Sequence, residues 1–425
     1  MISILFFLFF VLMALGIPIA ASMGLGMIAS SVFTGAVSLG YIGRNVVAAL
    51  DSFPILAVPI FIFAGEVMAK GGISKRLFDF ANACFGGFTG GVPMATIFTC
   101  MLFGAISGSG SATFAAVGTI MIPIMTKQGY DRRFITAVTA ASGGLGVLIP
   151  PSLPMVIYGI SSGESIGDMF MAGVIPGIAC GAALMLYAFM YSKRNAVNID
   201  ETLEPRMKIF PSLIRGFWAL LCPVVILGGI YGGIFTPTEA AGIAAFYGII
   251  VSKFIYKTLE FKEIPGILLR SARLNAPILL IVAVATVFGR IITIENIPTQ
   301  LADWVTSSTN NKILLLIIMN VLFIITGMFM EALAAIVILT PILLPIATSI
   351  GLSPIHFGTM MVANLAIGFV TPPVGTNLFL AAGVTGIPIK DIIRAAIGPI
   401  IALLIVQVFI TFIPAMSTWL PSLVK

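Results

Sequence analysis

The chain has 425 residues, of which 59% are hydrophobic and only 9% charged, and its formal net charge is +6. Soluble domains average about 45–50% apolar and about 25% charged residues, so this excess of apolar surface must face lipid. Apolar stretches of spanning length recur from Ile2 to Leu420 without a long polar segment between them, which excludes a separate soluble domain and makes the cations loop topology rather than a nucleic-acid-binding face.

In chain order, the first apolar segment, 2–16, has no lysine or arginine before it. A cleaved signal peptide normally starts with a basic region, so a retained first span is expected. Further helices are predicted over 18–36 and 51–70. Residues 92–126 read differently, as two apolar arms of about 15 residues around Ser107-Gly108-Ser109-Gly110-Ser111. Each arm would rise about 22 Å against a hydrocarbon core of about 30 Å. They read as a re-entrant hairpin, with a pair of short or tilted spans as the alternative. A helix over 134–163 is interrupted at Pro150-Pro151, because adjacent prolines cannot continue a helix. A helix over 169–191 completes the first half, and the polar stretch from Ser192 to Arg215 follows. Helices are then predicted over 217–235, 238–256 and 275–292. A second two-armed segment at 312–348 turns at Gly327-Met328-Phe329-Met330-Glu331, and helices over 355–385, broken at Pro372-Pro373, and 391–420 end the chain.

This order contains an internal repeat. At a shift of 222 residues Pro123 falls on Pro345, Gly129 on Gly351, Gly146 on Gly368, and Pro150-Pro151 on Pro372-Pro373. Phe53-Pro54-Ile55-Leu56 matches Ala276-Pro277-Ile278-Leu279 at 223, and Pro18 matches Pro237 at 219. The chain thus divides into a first repeat at 1–191, a linker at 192–215 and a second repeat at 216–425. Each repeat holds about five spans, one discontinuous, and one hairpin. Five is odd, so the second repeat enters the membrane inverted. With the N-terminus outside, 18 of the 22 lysines and arginines fall in cytoplasmic loops, leaving only Arg44, Arg290, Lys312 and Lys425 on the other side. The expected fold is therefore an all-α polytopic membrane protein of two inverted-topology repeats. In such folds broken helices surround a midplane site.

Chemistry concentrates at the two tips and the two breaks. Ser107, Ser109 and Ser111, spaced by glycines, offer hydroxyl and carbonyl oxygens of the kind a hard cation such as sodium prefers; close helix packing is the competing explanation. Carbonyls freed at 142–152 and 364–377 are tolerated at membrane depth only where they face protein or a hydrated cavity. The half-helices that begin near Ser152 and Thr376 aim their positive dipole ends where an anionic group would sit. Glu331, an acid at membrane depth, is a candidate to ligate a cation or orient substrate. Glu66 precedes Lys70 by four residues and reads as its ion-pair partner, whereas Glu239 after Thr236-Pro237-Thr238 reads as a helix cap. Cys84, Cys100, Cys180 and Cys222 lack CxxC spacing and read as packing residues. No HExxH, Walker or dinucleotide motif occurs, and the single histidine, His356, has no second ligand nearby in sequence, so an enzyme is not expected.

Gly108-Ser109-Gly110-Ser111-Ala112, Ile149-Pro150-Pro151-Ser152 and Thr371-Pro372-Pro373-Val374-Gly375-Thr376-Asn377 together resemble the large membrane subunit (DctM/SiaM type) of tripartite ATP-independent periplasmic (TRAP) transporters, across essentially the whole chain. The resemblance implies sodium-driven import of an organic acid, of the sialic acid or C4-dicarboxylate class, across the bacterial or archaeal inner membrane by an elevator movement. It implies a soluble periplasmic binding protein and a small four-helix membrane subunit as partners, the latter as a separate chain, and no cofactor beyond Na+. Carried over by position, one sodium site would use Ser107, Ser109 and Ser111 with backbone near Gly143, Gly144 and Pro150. A second would use Gly327 and Glu331 with backbone near Gly368, Thr371 and Pro372. Substrate would lie near Ser109, Ser152, Glu331, Thr376 and Asn377. A two-component sodium/carboxylate symporter working without a binding protein is the alternative.

Overall fold

A computed structural model describes residues 2–35, 37–195, 207–308 and 311–424. Helices are the regular structure throughout, with no strand among the described residues. Among those residues eight helices are long and apolar enough to cross a membrane, which makes this a multi-pass membrane protein.

Long apolar runs form spans much as expected. Helices α1 (Ile2–Ala14) and α2 (Ile19–Thr34) open the chain. Between them and α4 (Ala57–Lys70) lies α3 (Leu39–Leu50), which the sequence reading missed. Arg44 and Asn45 interrupt its apolar residues, and it buries only Ile42 and Ala49. Helix α5 (Ile73–Phe85) was missed for the same reason. It is amphipathic, with Leu77, Phe78 and Ala81 buried and Lys75 exposed. A hydropathy window averages such faces away.

The first two-armed segment is α6 (Gly91–Ser107) and α7 (Gly110–Lys127), packed against each other. These arms of 17 and 18 residues exceed the expected 15. Helix α7 extends back to Gly110 because Ser109 takes an extended conformation as its N-cap. Gly108 closes α6 at φ +62°, a conformation that residues with a Cβ avoid.

The broken helix of the first half consists of α8 (Arg132–Gly143), a short 3-10 turn at Gly144–Val147, a cis Pro150-Pro151 peptide, and α9 (Leu153–Ser162). Helix α10 (Ile166–Arg194) runs beyond its expected end, and part of the 192–215 linker, residues 196–206, lies outside the described residues.

The second half repeats the pattern. Helix α11 (Ile209–Tyr231) starts earlier than expected. Helix α12 (Pro237–Ile250) begins at a capping box in which Glu239 Oε2 accepts from Thr236 N and Oγ1 at 2.8 Å, as the sequence suggested. Helix α13 (Ile264–Ile294) carries Arg270 and Arg273 inside its first turns, so these cations belong to a helix and not to a loop. Helix α14 (Ile297–Ser308), amphipathic like α5, was also missed. The second two-armed segment is α15 (Lys312–Phe329) and α16 (Ala332–Ser349). The second break separates α17 (Pro354–Gly368) from α18 (Thr376–Thr385) around a cis Pro372-Pro373 peptide. The predicted helix 391–420 is two, α19 (Ile389–Phe412) and α20 (Ala415–Ser422), divided where Pro414 withholds a backbone donor.

Helix starts in the two halves keep the spacing seen in the sequence. Gly110 and Ala332, and Arg132 and Pro354, differ by 222. Leu153 and Thr376, and Ile166 and Ile389, differ by 223. The halves also exchange partners: α9 packs on α16, and α18 packs on α7. Arg132 Nη2 adds a hydrogen bond to the Thr385 carbonyl at 2.7 Å.

A buried polar network ties α15, α17 and α19. Asn320 Oδ1 accepts from Asn364 Nδ2 at 2.8 Å, from Gln407 Nε2 at 2.9 Å and from Thr411 Oγ1 at 2.9 Å. His356, 1% exposed, joins the same seam through Ser417 Oγ at 2.7 Å and the Thr411 carbonyl at 3.2 Å. Its partners are structural, and no hydroxyl of the first hairpin is among them. Asn320→Leu should lower stability by about 1–3 kcal/mol, because several buried donors lose a shared acceptor. Thermal unfolding in detergent checks this; an unchanged midpoint would show that the network does not hold the seam.

Candidate functional site

The two turns and both breaks meet around one cavity of about 510 Å³. Ser107, Ser109, Ser111, Glu331 and Thr376 all line it. Ser107 is 1% exposed, and its hydroxyl lies 2.9 Å from Thr113 Oγ1, one turn into α7. Ser109 Oγ and Ser111 Oγ are 3.3 Å apart. Ser111 and Glu331 are exposed into the open space.

Glycines bring the backbones together behind this wall. A Cβ on Gly104 would lie 2.6 Å from Gly146 Cα, so α6 crosses the first break backbone to backbone. Repeat-related Gly327 and Gly368 make the same crossing, where a Cβ on Gly368 would lie 2.5 Å from Gly327 Cα. Each turn is also tied to its own break by a backbone hydrogen bond. Leu153 N donates to the Gly108 carbonyl at 3.1 Å, and Gly375 N donates to the Met328 carbonyl at 3.2 Å.

The remaining residues singled out in the sequence do not line the cavity. Gly143, Gly144 and Pro150 are buried and do not line it. Gly143 instead faces Asn377, whose Nδ2 donates to the Ala140 carbonyl at 3.0 Å. Asn377 is fully buried, and its Oδ1 has no hydrogen-bond partner. Ser152 caps α9 from a buried position, donating to the Val147 carbonyl and accepting from Met155 N. Thr371 Oγ1 donates back to the Ile367 carbonyl at 2.7 Å, and neither it nor Pro372 lines the cavity. The structure therefore gathers five of the named residues on the cavity and leaves the others off its lining.

Gly65, Glu66, Arg273 and Phe369 also line the cavity, and the sequence reading did not place them there. Helix α4 comes so close to the first turn that a Cβ on Gly65 would lie 3.2 Å from Ser107 Cα. Glu66 does not pair with Lys70. Glu66 Oε2 meets Arg270 Nη1 at 3.7 Å, while Lys70 Nζ meets Glu263 Oε1 at 2.9 Å. Packing of α4 on α13 offers Glu66 a partner on the neighbouring helix and Lys70 one at that helix's N-cap, which displaces the local i,i+4 pair. The repeat alignment gave no signal of this pairing, since a shift of 223 sets Glu66 against Gly289.

Among the described residues no three His, Cys, Asp or Glu side chains cluster. The turns offer hydroxyl and backbone carbonyl oxygens and, at the second turn, the Glu331 carboxylate, donor types that a hard monovalent ion takes.

Comparison with known proteins agrees with this architecture. Residues 6–416 match the family described as "Tripartite ATP-independent periplasmic transporter, DctM component". The chain is 46% identical over 413 residues to the isethionate TRAP transporter permease protein DctMQ of Oleidesulfovibrio alaskensis, covering 97% of this chain and 65% of that longer protein. It is 42% identical over 372 residues to the C4-dicarboxylate TRAP transporter large permease protein DctM of Pseudomonas aeruginosa, covering 88% of this chain and 87% of that one. Its fold is similar to that of the YdaH transporter of Alcanivorax borkumensis, with a TM-score of 0.66, 16% identity and 88% of each chain covered. The matched relatives are permeases and not enzymes. Extent and identity settle the assignment: the chain belongs to the DctM component family of the tripartite ATP-independent periplasmic transporters.

Proposed function

We propose that this chain is the transporting subunit of a sodium-coupled importer of organic anions in the inner membrane. The observation that carries this reading is the single cavity shared by the serine turn and Glu331. Sodium would bind at the first turn through Ser107, Ser109 and Ser111, near the backbone of Gly143, Gly144 and Pro150. Asn377 fits the same ion through its orphaned Oδ1, because a buried acceptor without a donor costs about 1–3 kcal/mol that a cation removes. A second ion would lie at Gly327 and Glu331, near Gly368, Thr371 and Pro372. Substrate would occupy the cavity against Ser109, Glu331 and Thr376, with Ser152 and Asn377 as shell. Ion and substrate raise each other's affinity, since linkage is reciprocal.

The matched element spacing supports a repeat of 1–191 by 216–425, and the odd span count with the lysine and arginine asymmetry supports its inversion with the N-terminus outside. The twin backbone ties support a rigid hairpin–break unit that carries its cargo past α4 and α13 as an elevator. A periplasmic binding protein would deliver substrate, and a small membrane subunit would complete the assembly. Relatives named for isethionate and C4-dicarboxylate support an organic anion as substrate, and sialic acid belongs in the same test.

Uptake of radiolabelled isethionate, succinate and sialic acid into proteoliposomes, with the small subunit present, tests the reading. Uptake of one of them that requires both a sodium gradient and the binding protein is expected. Sodium-driven uptake without the binding protein would move the chain to a two-component symporter, and uptake indifferent to sodium would remove ion coupling.

A further inference from the structure

Helices α4 and α13 are joined by a ladder of charges. On the lowest rung Lys70 Nζ meets Glu263 Oε1 at 2.9 Å. One turn along α4 and two turns along α13, Arg270 Nη1 meets Glu66 Oε2 at 3.7 Å. The next turn of α13 brings another cation, Arg273, but the next turn of α4 brings Ile62 in place of an acid. Ile62 and Arg273 both line the cavity. Arg273 is exposed and has no carboxylate within 4.0 Å among the described residues. Of the described residues that line the cavity, Arg273 is the one cation; the acids are Glu66, already engaged by Arg270, and Glu331.

A cation that closes an incomplete ladder inside a ligand-sized cavity is placed to receive an anion. The guanidinium adds the right shape, since its planar fork holds a carboxylate or sulfonate through two parallel hydrogen bonds. We propose that Arg273 is the residue that makes the cavity selective for anions, with the substrate's carboxylate or sulfonate completing the third rung in place of the missing acid. This rests on the transport reading above. It puts one end of the substrate on α13, outside the hairpins and breaks, while the serines and Glu331 meet its other end. Arg273 thus acts in recognition, and sodium binding stays with the turns.

The test is sodium-driven uptake of isethionate and succinate by the complete transporter in proteoliposomes, with KM and kcat measured separately. Arg273→Gln should raise KM about 10–100-fold while kcat at saturation stays near wild type, as expected for loss of a charged hydrogen bond to substrate. Because Arg273 is exposed, the substitution removes no buried packing. Arg273→Lys should recover part of the affinity, since it restores the charge without the fork. Ile62→Glu should raise KM by a similar factor, because it supplies the missing acid from inside. Lys70→Gln, on the lowest rung, should leave KM within about twofold of wild type. A KM for Arg273→Gln or Ile62→Glu within about twofold of wild type would overturn the proposal while leaving the transporter reading intact. A wild-type transporter that moves neither anion overturns that reading, and this assignment with it.

Discussion

Gly104→Val is expected to abolish uptake and to destabilise the first hairpin. The first atom of any side chain here would lie 2.6 Å from Gly146 Cα, inside van der Waals contact and against backbone that has no rotamer to change. Overpacking of a tight core costs about 1–3 kcal/mol when side chains can give way, and more when backbone must move. Gly368→Val should behave alike, since its Cβ would lie 2.5 Å from Gly327. Uptake in proteoliposomes, together with the unfolding midpoint of the purified protein, checks both variants. Normal uptake by either would show that its crossing tolerates separation and that the hairpin and break need not stay in register.

The second large effect is expected at Ser109. Leucine there removes the hydroxyl nearest Ser111, deletes the N-cap of α7 and sets an apolar side chain into the cavity. Loss of a cap alone costs about 0.5–2 kcal/mol, which a protein of this size tolerates. Expression and insertion should therefore persist while sodium-driven uptake falls by at least about tenfold, the effect of losing roughly 1.4 kcal/mol of ligand binding. Uptake at the wild-type rate by Ser109→Leu would remove the serine turn from the transport site.

Much of the architecture is legible in sequence because lipid simplifies the code. A span must be apolar over its whole length, so long spans declare themselves. Adjacent prolines must break a helix, so Pro150-Pro151 and Pro372-Pro373 announce the discontinuities, and their spacing of 222 recurs in the helix starts around them. The serine turn and Glu331 stand out as polar residues in apolar surroundings. Helices α3, α5 and α14 escape the same reasoning because one face of each is polar. Arg273 escapes it for another reason. Cations near a span end read as loop residues, and only the packing of α13 on α4 turns this one toward the cavity. Glu66 was misassigned because its partner lies 204 positions away at Arg270 and four-residue spacing offered a nearer one. Ser152, Thr371 and Asn377 do not line the cavity, a placement hidden from sequence, which locates a break without showing which way its side chains turn.

The exchange of partners between the halves also bears on biogenesis. Helix α9 completes its packing on α16, and α7 on α18, segments that leave the ribosome long after the first hairpin has entered the bilayer. Until they arrive, the first break is packed on its own hairpin, but the faces of α9 and α7 that meet α16 and α18 have no partner helix. The first half therefore completes its packing only once the second has been translated.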